Sequence, residues 1–175
     1  RVDKLTNMKT IFTLDTWKLF LIILIPILFP DDTINLLLIT LLIAVFATWT
    51  YYLGTELYKK LPSGHALNIN KFKFHFFFPI IYFTVAVVAT GGGYTISNEN
   101  IDQYGAIGYP MIILHIFSMY CMIYCIYFLS KALISVETQN KNIQTSEYIG
   151  YIFGFWFFPI GIWFIQPKIR QIFTD

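Results

Sequence analysis

Charge is scarce in this chain. Only 13% of its 175 residues are Asp, Glu, Lys or Arg, against about 25% in an ordinary soluble domain. Five stretches hold none at all: 19–29, 34–53, 74–90, 110–129 and 148–165. A water-soluble helical core needs polar faces at helical period. The 34–53 and 110–129 stretches are apolar all round, which excludes a soluble five-helix bundle. Within the five stretches the basic side chains are His75, at the very start of the third, and His115 in the middle of the fourth. Intramembrane carboxylates and ammoniums mark proton and ion paths, so their lack argues against a proton-coupled carrier or pump. A passive pore lined by hydroxyls and backbone is less affected.

Cysteine is equally sparse. Cys121 and Cys125 are the two in the sequence, four residues apart in an apolar run. A disulfide between them would have poor geometry, and they mark no redox compartment. Catalytic patterns are missing too. No Ser/His/Asp or Cys/His arrangement stands in a defined context, and His65 and His75 have no acid placed to pair with them. Gly91-Gly92-Gly93 is no phosphate cradle, because no Lys-Ser or Lys-Thr follows it. It reads as a flexible helix exit.

What the chain has in abundance is apolar length: 57% of its residues are hydrophobic and 19% aromatic. A spanning helix takes about 20 largely apolar residues, with a lower limit of roughly 17. The second and fourth stretches meet that outright, and the third and fifth just meet it. The first needs Asp15-Thr16-Trp17-Lys18, with Lys18 snorkelling and Asp15 or Thr16 capping. Lipid leaves exposed backbone groups unsatisfied, so helix is forced. The expected fold is an all-α integral membrane protein. It has four transmembrane helices plus a fifth apolar, kinked or re-entrant, C-terminal segment. Residues 1–175 form one transmembrane domain, in which 1–7 read as a vector remnant or leader ahead of Met8.

Basic residues orient the spans. Arg1, Lys4, Lys9 and Lys18 precede the first; Lys59, Lys60, Lys71 and Lys73 lie between the second and third; Lys131 and Lys141 follow the fourth. The opposite loops carry Asp31, Asp32, Glu99 and Asp102 and no Lys or Arg. The N-terminus and the 54–73 and 130–147 loops are therefore expected in the cytoplasm, and 30–33 and 91–109 outside. The last segment poses a conflict. Phe76-Phe77-Phe78-Pro79-Ile80 echoes Trp156-Phe157-Phe158-Pro159-Ile160, and a repeat would put the C-terminus outside. Coincidence in Phe-rich text explains the echo about as well. Lys168 and Arg170 favour the inside, and Gly150, Gly154, Pro159 and Gly161 let the segment bend.

Two groups of side chains carry candidate chemistry. His115, Cys121 and Cys125 share the fourth span and have the imidazole and soft sulfur that suit Cu(I) or zinc. On one helix His115 lies about 80–120° around from the thiols, so a single helix cannot bring all three to one ion. The competing reading is a small-residue packing strip of Ser118, Cys121 and Cys125; no metal and no cofactor are expected. Lys59, Lys60, Lys71 and Lys73, interleaved with aromatics, suit anionic lipid headgroups better than nucleic acid.

The stretch Phe155-Trp156-Phe157-Phe158-Pro159-Ile160-Gly161-Ile162-Trp163-Phe164-Ile165-Gln166-Pro167-Lys168-Ile169 resembles the C-terminal signature of an uncharacterised family of small four-span membrane proteins from Gram-negative bacteria. Lys71-Phe72-Lys73-Phe74 leading into Phe78-Pro79, Trp17-Lys18-Leu19-Phe20 leading into Pro26, and Lys60-Leu61-Pro62 share the resemblance, which runs from about Met8 onward. It implies the bacterial inner membrane and no activity, and no catalytic residue carries over. The expectation is a small polytopic protein acting non-enzymatically, as an accessory subunit or membrane-acting effector, with a protein partner or as a homo-oligomer. A channel or small-solute transporter is the alternative, and an enzyme acting on lipid the third.

Overall fold

The computed structural model describes residues 12, 14–24, 32–89 and 108–174. All regular structure among them is helical: α1 Thr16–Leu24, α2 Asp32–Lys59, α3 Ile69–Ala89, α4 Gly108–Thr138, α5 Thr145–Trp156 and α6 Phe158–Thr174. Among the described residues, three helices are long and apolar enough to cross a membrane, within Leu37–Lys59, Ile69–Val88 and Tyr109–Thr138. The chain is thus a helical protein with membrane-capable spans. The first expected span is described only as far as Leu24. Its remainder, the Gly91-Gly92-Gly93 exit and Asp31, Glu99 and Asp102 lie outside the described residues.

The chain divides into two compact units, one comprising 1–67 and 128–175 and the other 68–127. In the smaller unit α3 starts where Asn68 Oδ1 accepts hydrogen bonds from the Asn70 and Lys71 amides at 2.9 and 3.2 Å, an N-cap. The helix runs on through Pro79. It lies antiparallel to the first part of α4. His75 stacks on Tyr124 with ring centroids 4.1 Å apart, Phe78 meets Phe117 edge-on at 4.7 Å, and the Tyr82 hydroxyl donates to the Met111 carbonyl at 3.0 Å.

The larger unit is organised around α6. The segment 148–165 is not one straight helix. Its first helix, α5, is started by Glu147, whose carboxylate accepts the Gln144 amide at 2.7 Å, an acid placed well for the helix dipole. It stops at Phe157, whose amide still donates to the Phe153 carbonyl at 2.9 Å. Pro159 has no amide to donate and its ring would strike the preceding turn. The chain restarts instead, with proline in the first turn of α6, where a missing donor costs nothing. There the Ile160 and Gly161 amides both donate to the Phe157 carbonyl, at 2.9 and 2.8 Å.

After the break, α6 returns along α5. Gly161 crosses so near Gly154 that a β-carbon built on it would overlap the Gly154 carbonyl, and one built on Gly154 would lie 2.8 Å from Ile165 Cδ1. Further from the turn, Lys168 donates to the Tyr151 hydroxyl. The pair is an antiparallel helical hairpin with its turn at Phe157. Contacts to the other helices give α6 a direction. Phe12, Asp15 and Phe20 meet Phe173, Arg170 and Trp163 in turn, so α1 is antiparallel to it. Phe46 and Trp49 meet Phe158, and Lys60 meets Ile172, so α2 is parallel. Gly161, Ile162, Ile165, Gln166 and Ile169 are buried along one stripe of α6, while Ile160, Trp163 and Phe164 are exposed.

Substituting Gly161 by Ala should force the two backbones apart and destabilise the unit by about 1–3 kcal/mol, the usual cost of overpacking. Gly150, with nothing within 4 Å of a built β-carbon, is the control. Gly150→Ala should be neutral or stabilising by up to about 1 kcal/mol through helix propensity. Thermal unfolding of both variants in detergent checks the pair, and equal melting temperatures would refute the close crossing.

Candidate functional site

Polar side chains of the larger unit gather at the C-terminal end of α6. Gln166 is buried, and its Nε2 donates to the carbonyls of both Phe12 and Leu14 at 3.0 Å. That amide ties the segment before α1 to the hairpin. Two residues further on, Lys168 pairs with Glu137 at 2.6 Å, and the Tyr151 hydroxyl donates to the other Glu137 oxygen. Arg170 pairs with Asp15 at 2.9 Å, and Lys18 shares the same carboxylate at 3.0 Å. Lys60 donates to the Ile172 carbonyl at 2.7 Å and lies 5.1 Å from the Phe173 ring centroid. A cavity of about 530 Å³ opens among Lys60, Glu137, Gln139, Lys168 and Gln171.

The electrostatics of this cluster point away from acid–base chemistry. Burial by itself would raise the Glu137 carboxyl, but the bonds from Lys168 and Tyr151 and the Lys168 charge outweigh it and hold the group below its ordinary range. Burial likewise works against the charged Lys168, and its bonds to Glu137 and Tyr151 push it above the usual lysine range. The hydrogen bond and charge of Lys18, followed by Arg170, keep Asp15 low despite slight desolvation. A general acid or base works best with its pKa moved toward neutrality. Here the acids go down and the lysine goes up, as in a structural ion-pair network.

The residues singled out from sequence fall in different places. Lys59 pairs with Glu56 one turn back, and Lys60 caps the C-terminal end of α6. Lys71 and Lys73 sit in the first turns of α3 in the smaller unit, where the Lys71 carbonyl accepts a bond from His75 Nδ1 at 2.6 Å. His115 packs against the rings of Tyr82 and Phe83, with centroids 6.2 and 5.6 Å away. Ser118, Cys121 and Cys125 are buried on one strip of α4, and the Ser118 hydroxyl donates to the Leu114 carbonyl at 2.9 Å. Among the described residues no three His, Cys, Asp or Glu side chains come together as a metal site.

Gln166, Glu137 and Tyr151 were not singled out from sequence, and Arg170 figured there only as a charge favouring the inside. Gln166 had a usable signal, an amide directly after the charge-free 148–165 stretch. Glu137 had none, since its partner lies 31 positions away. Comparison with protein-family models, curated proteins and solved structures finds no match.

The pH response of this cluster follows from the directions of the shifts. A carboxyl lowered by folding stabilises the fold above its unfolded value, 4.5 for Glu137, and that contribution disappears as pH falls through the lower folded value. A lysine raised by folding contributes below its unfolded value, 10.5 for Lys168, and loses that contribution at still higher pH. Both are therefore present across the neutral range. Each partner is a third or more exposed, so the pair is worth about 0.2–1 kcal/mol. Glu137→Gln should lower the melting temperature at pH 7. It should also flatten the loss seen in the parent on acidification below 4.5. Scanning calorimetry in detergent from acid to neutral pH measures both, and an unchanged acid slope would remove Glu137 from the network.

Proposed function

We propose that this chain is an inner-membrane protein of four spans with a re-entrant C-terminal hairpin, acting as a non-enzymatic accessory subunit or membrane-acting effector. The observation that carries this reading is the depth at which the hairpin turns. Phe158 meets Trp49 at 5.2 Å between centroids, and Trp49 lies ten residues before Lys59 on α2. At 1.5 Å per residue that is about 15 Å, half of a hydrocarbon core about 30 Å thick. The 12 residues of α5 cover about 18 Å, the same half-depth. The polar end of α6 is held beside Lys60 and Glu137, which the distribution of Lys and Arg assigns to the cytoplasm. The C-terminus then returns to the side from which the segment entered.

Such a hairpin occupies one leaflet and exposes Ile160, Trp163 and Phe164 to acyl chains or to an apolar partner helix. Lys59, Lys60, Lys71 and Lys73 lie at the cytoplasmic headgroups in this orientation, each contributing about 1 kcal/mol of attraction to anionic lipid. The spans bring no carboxylate or ammonium to the bilayer centre, and the ion pairs at α6 are tuned away from proton transfer. Both features suit an assembly role with a protein partner or as a homo-oligomer.

Two experiments decide the matter. In a background with Cys121 and Cys125 replaced by Ala, single cysteines at Ser63, Asn140 and Thr174 should react with an impermeant maleimide only after permeabilisation. One at Asn98 should react in intact cells. Thr174 labelling from outside would sink the re-entrant hairpin, and Ser63 labelling from outside would reverse the orientation. For function, purified protein in liposomes should pass no more solute or ion than empty liposomes. Saturable, selective flux by the protein alone would overturn the accessory reading in favour of a channel.

A further inference from the structure

A second cavity of the larger unit, of about 480 Å³, is a groove along α2 closed by Leu19 and Ile22 of α1 and by Phe158 at the hairpin turn. Ala44, Phe46 and the buried Trp49 also line it, and its wall is almost wholly apolar. The Thr48 hydroxyl in the lining is already spent on the Ala44 carbonyl at 2.7 Å. Ile43 and Val45 on the rim are 61% and 45% exposed, so the groove opens sideways into whatever surrounds α2.

The chemistry changes one helical turn toward the start of α1. Asp15 and Lys18 stand four residues before Leu19 and Ile22, on the same helix face. Arg170 joins them through Asp15. Among the described residues two cations share one carboxylate there, a net positive charge one turn from the apolar groove. Lys18 and Arg170 are both about half exposed, open to a further anion.

An apolar trough with one net positive charge at its interfacial end matches the two halves of an anionic lipid. Resting on the membrane reading above, we propose that this groove seats one acyl chain of an anionic glycerophospholipid from the cytoplasmic leaflet. The lipid phosphate lies against Lys18 and Arg170. The chain runs past Leu19 and Ile22 toward Trp49 and the hairpin turn, so the lipid wedges between α1, α2 and the tip of α5–α6. The site makes the hairpin sensitive to the lipid composition of the leaflet that it enters.

The test uses the full chain in detergent, titrated with phosphatidylglycerol or phosphatidylcholine and read by native mass spectrometry. The parent should retain one phosphatidylglycerol, about fivefold more tightly than phosphatidylcholine, the ratio for about 1 kcal/mol from one net charge. Lys18→Gln should bring the two lipids to equal affinity. Ala44→Phe adds a ring to the lining and should abolish retention of both lipids without lowering the melting temperature. If that variant does not fold, Leu19→Trp fills the groove from the other wall. Equal affinity of the parent for the two lipids overturns the proposal, as does undiminished retention by a folded groove-filled variant. A dimer peak lost in Ala44→Phe, with no lipid retained by the parent, overturns it in favour of self-association. Cysteine accessibility at Ser63 and Thr174 in vesicles separates a failed lipid site from a failed topology.

Discussion

The crossing of Gly161 over Gly154 is the contact on which the larger unit depends. Two helices can lie this near only where neither carries a β-carbon at the crossing. Pro159 breaks the helix, but a break alone leaves the direction of the next helix open. The glycine pair converts the break into a reversal. Once α6 runs back beside α5, Gln166 reaches the carbonyls of Phe12 and Leu14, Lys168 reaches Glu137 and Arg170 reaches Asp15. Each of these bonds requires the C-terminal helix to point back toward the side from which α5 came.

Burial along α6 shows how the two halves of this helix are used. Ile162, Ile165 and Ile169 are buried on one stripe, and the first half exposes Ile160, Trp163 and Phe164 on the other. The second half exposes Arg170 and Gln171 instead. An apolar outer face followed by a polar one suits a helix that emerges from hydrocarbon into headgroups. The ion pairs are gathered at the polar end, where partial hydration keeps the desolvation cost of a charged pair low. Gln166, the deepest of these polar groups, is uncharged and holds two backbone carbonyls at once. That is a cheaper way to fix a helix position near an apolar interior than a buried charge.

The smaller unit is held differently. Rings do most of its packing, with His75 between Tyr124 and Phe74 and His115 against Phe83. Ring contacts of this kind contribute about 0.5–1.5 kcal/mol each beyond their area. They remain effective in lipid, where the hydrophobic effect no longer drives helices together. Ser118, Cys121 and Cys125 are buried along one strip of α4.

The three helices long and apolar enough to cross a membrane were legible in the sequence because their cause is local. A charge-free stretch is apolar whatever it packs against, and the cost of burying a lysine in lipid is paid residue by residue. The fragility of the 148–165 segment was legible for the same reason, since Pro159 and the glycines act on their own turns of backbone. The reversal at Phe157 was not. It rests on which atoms of Gly154 meet Gly161, a distance that the helix geometry settles only after both helices exist. Nor could Glu137 be matched to Lys168 or Gln166 to Phe12, since 31 and 154 positions separate them. Helices apolar all round carry no periodic signal saying which face turns inward. For this chain, composition by itself determined that the long helices are apolar enough to cross a membrane, and tertiary packing around α6 decided direction and pairing.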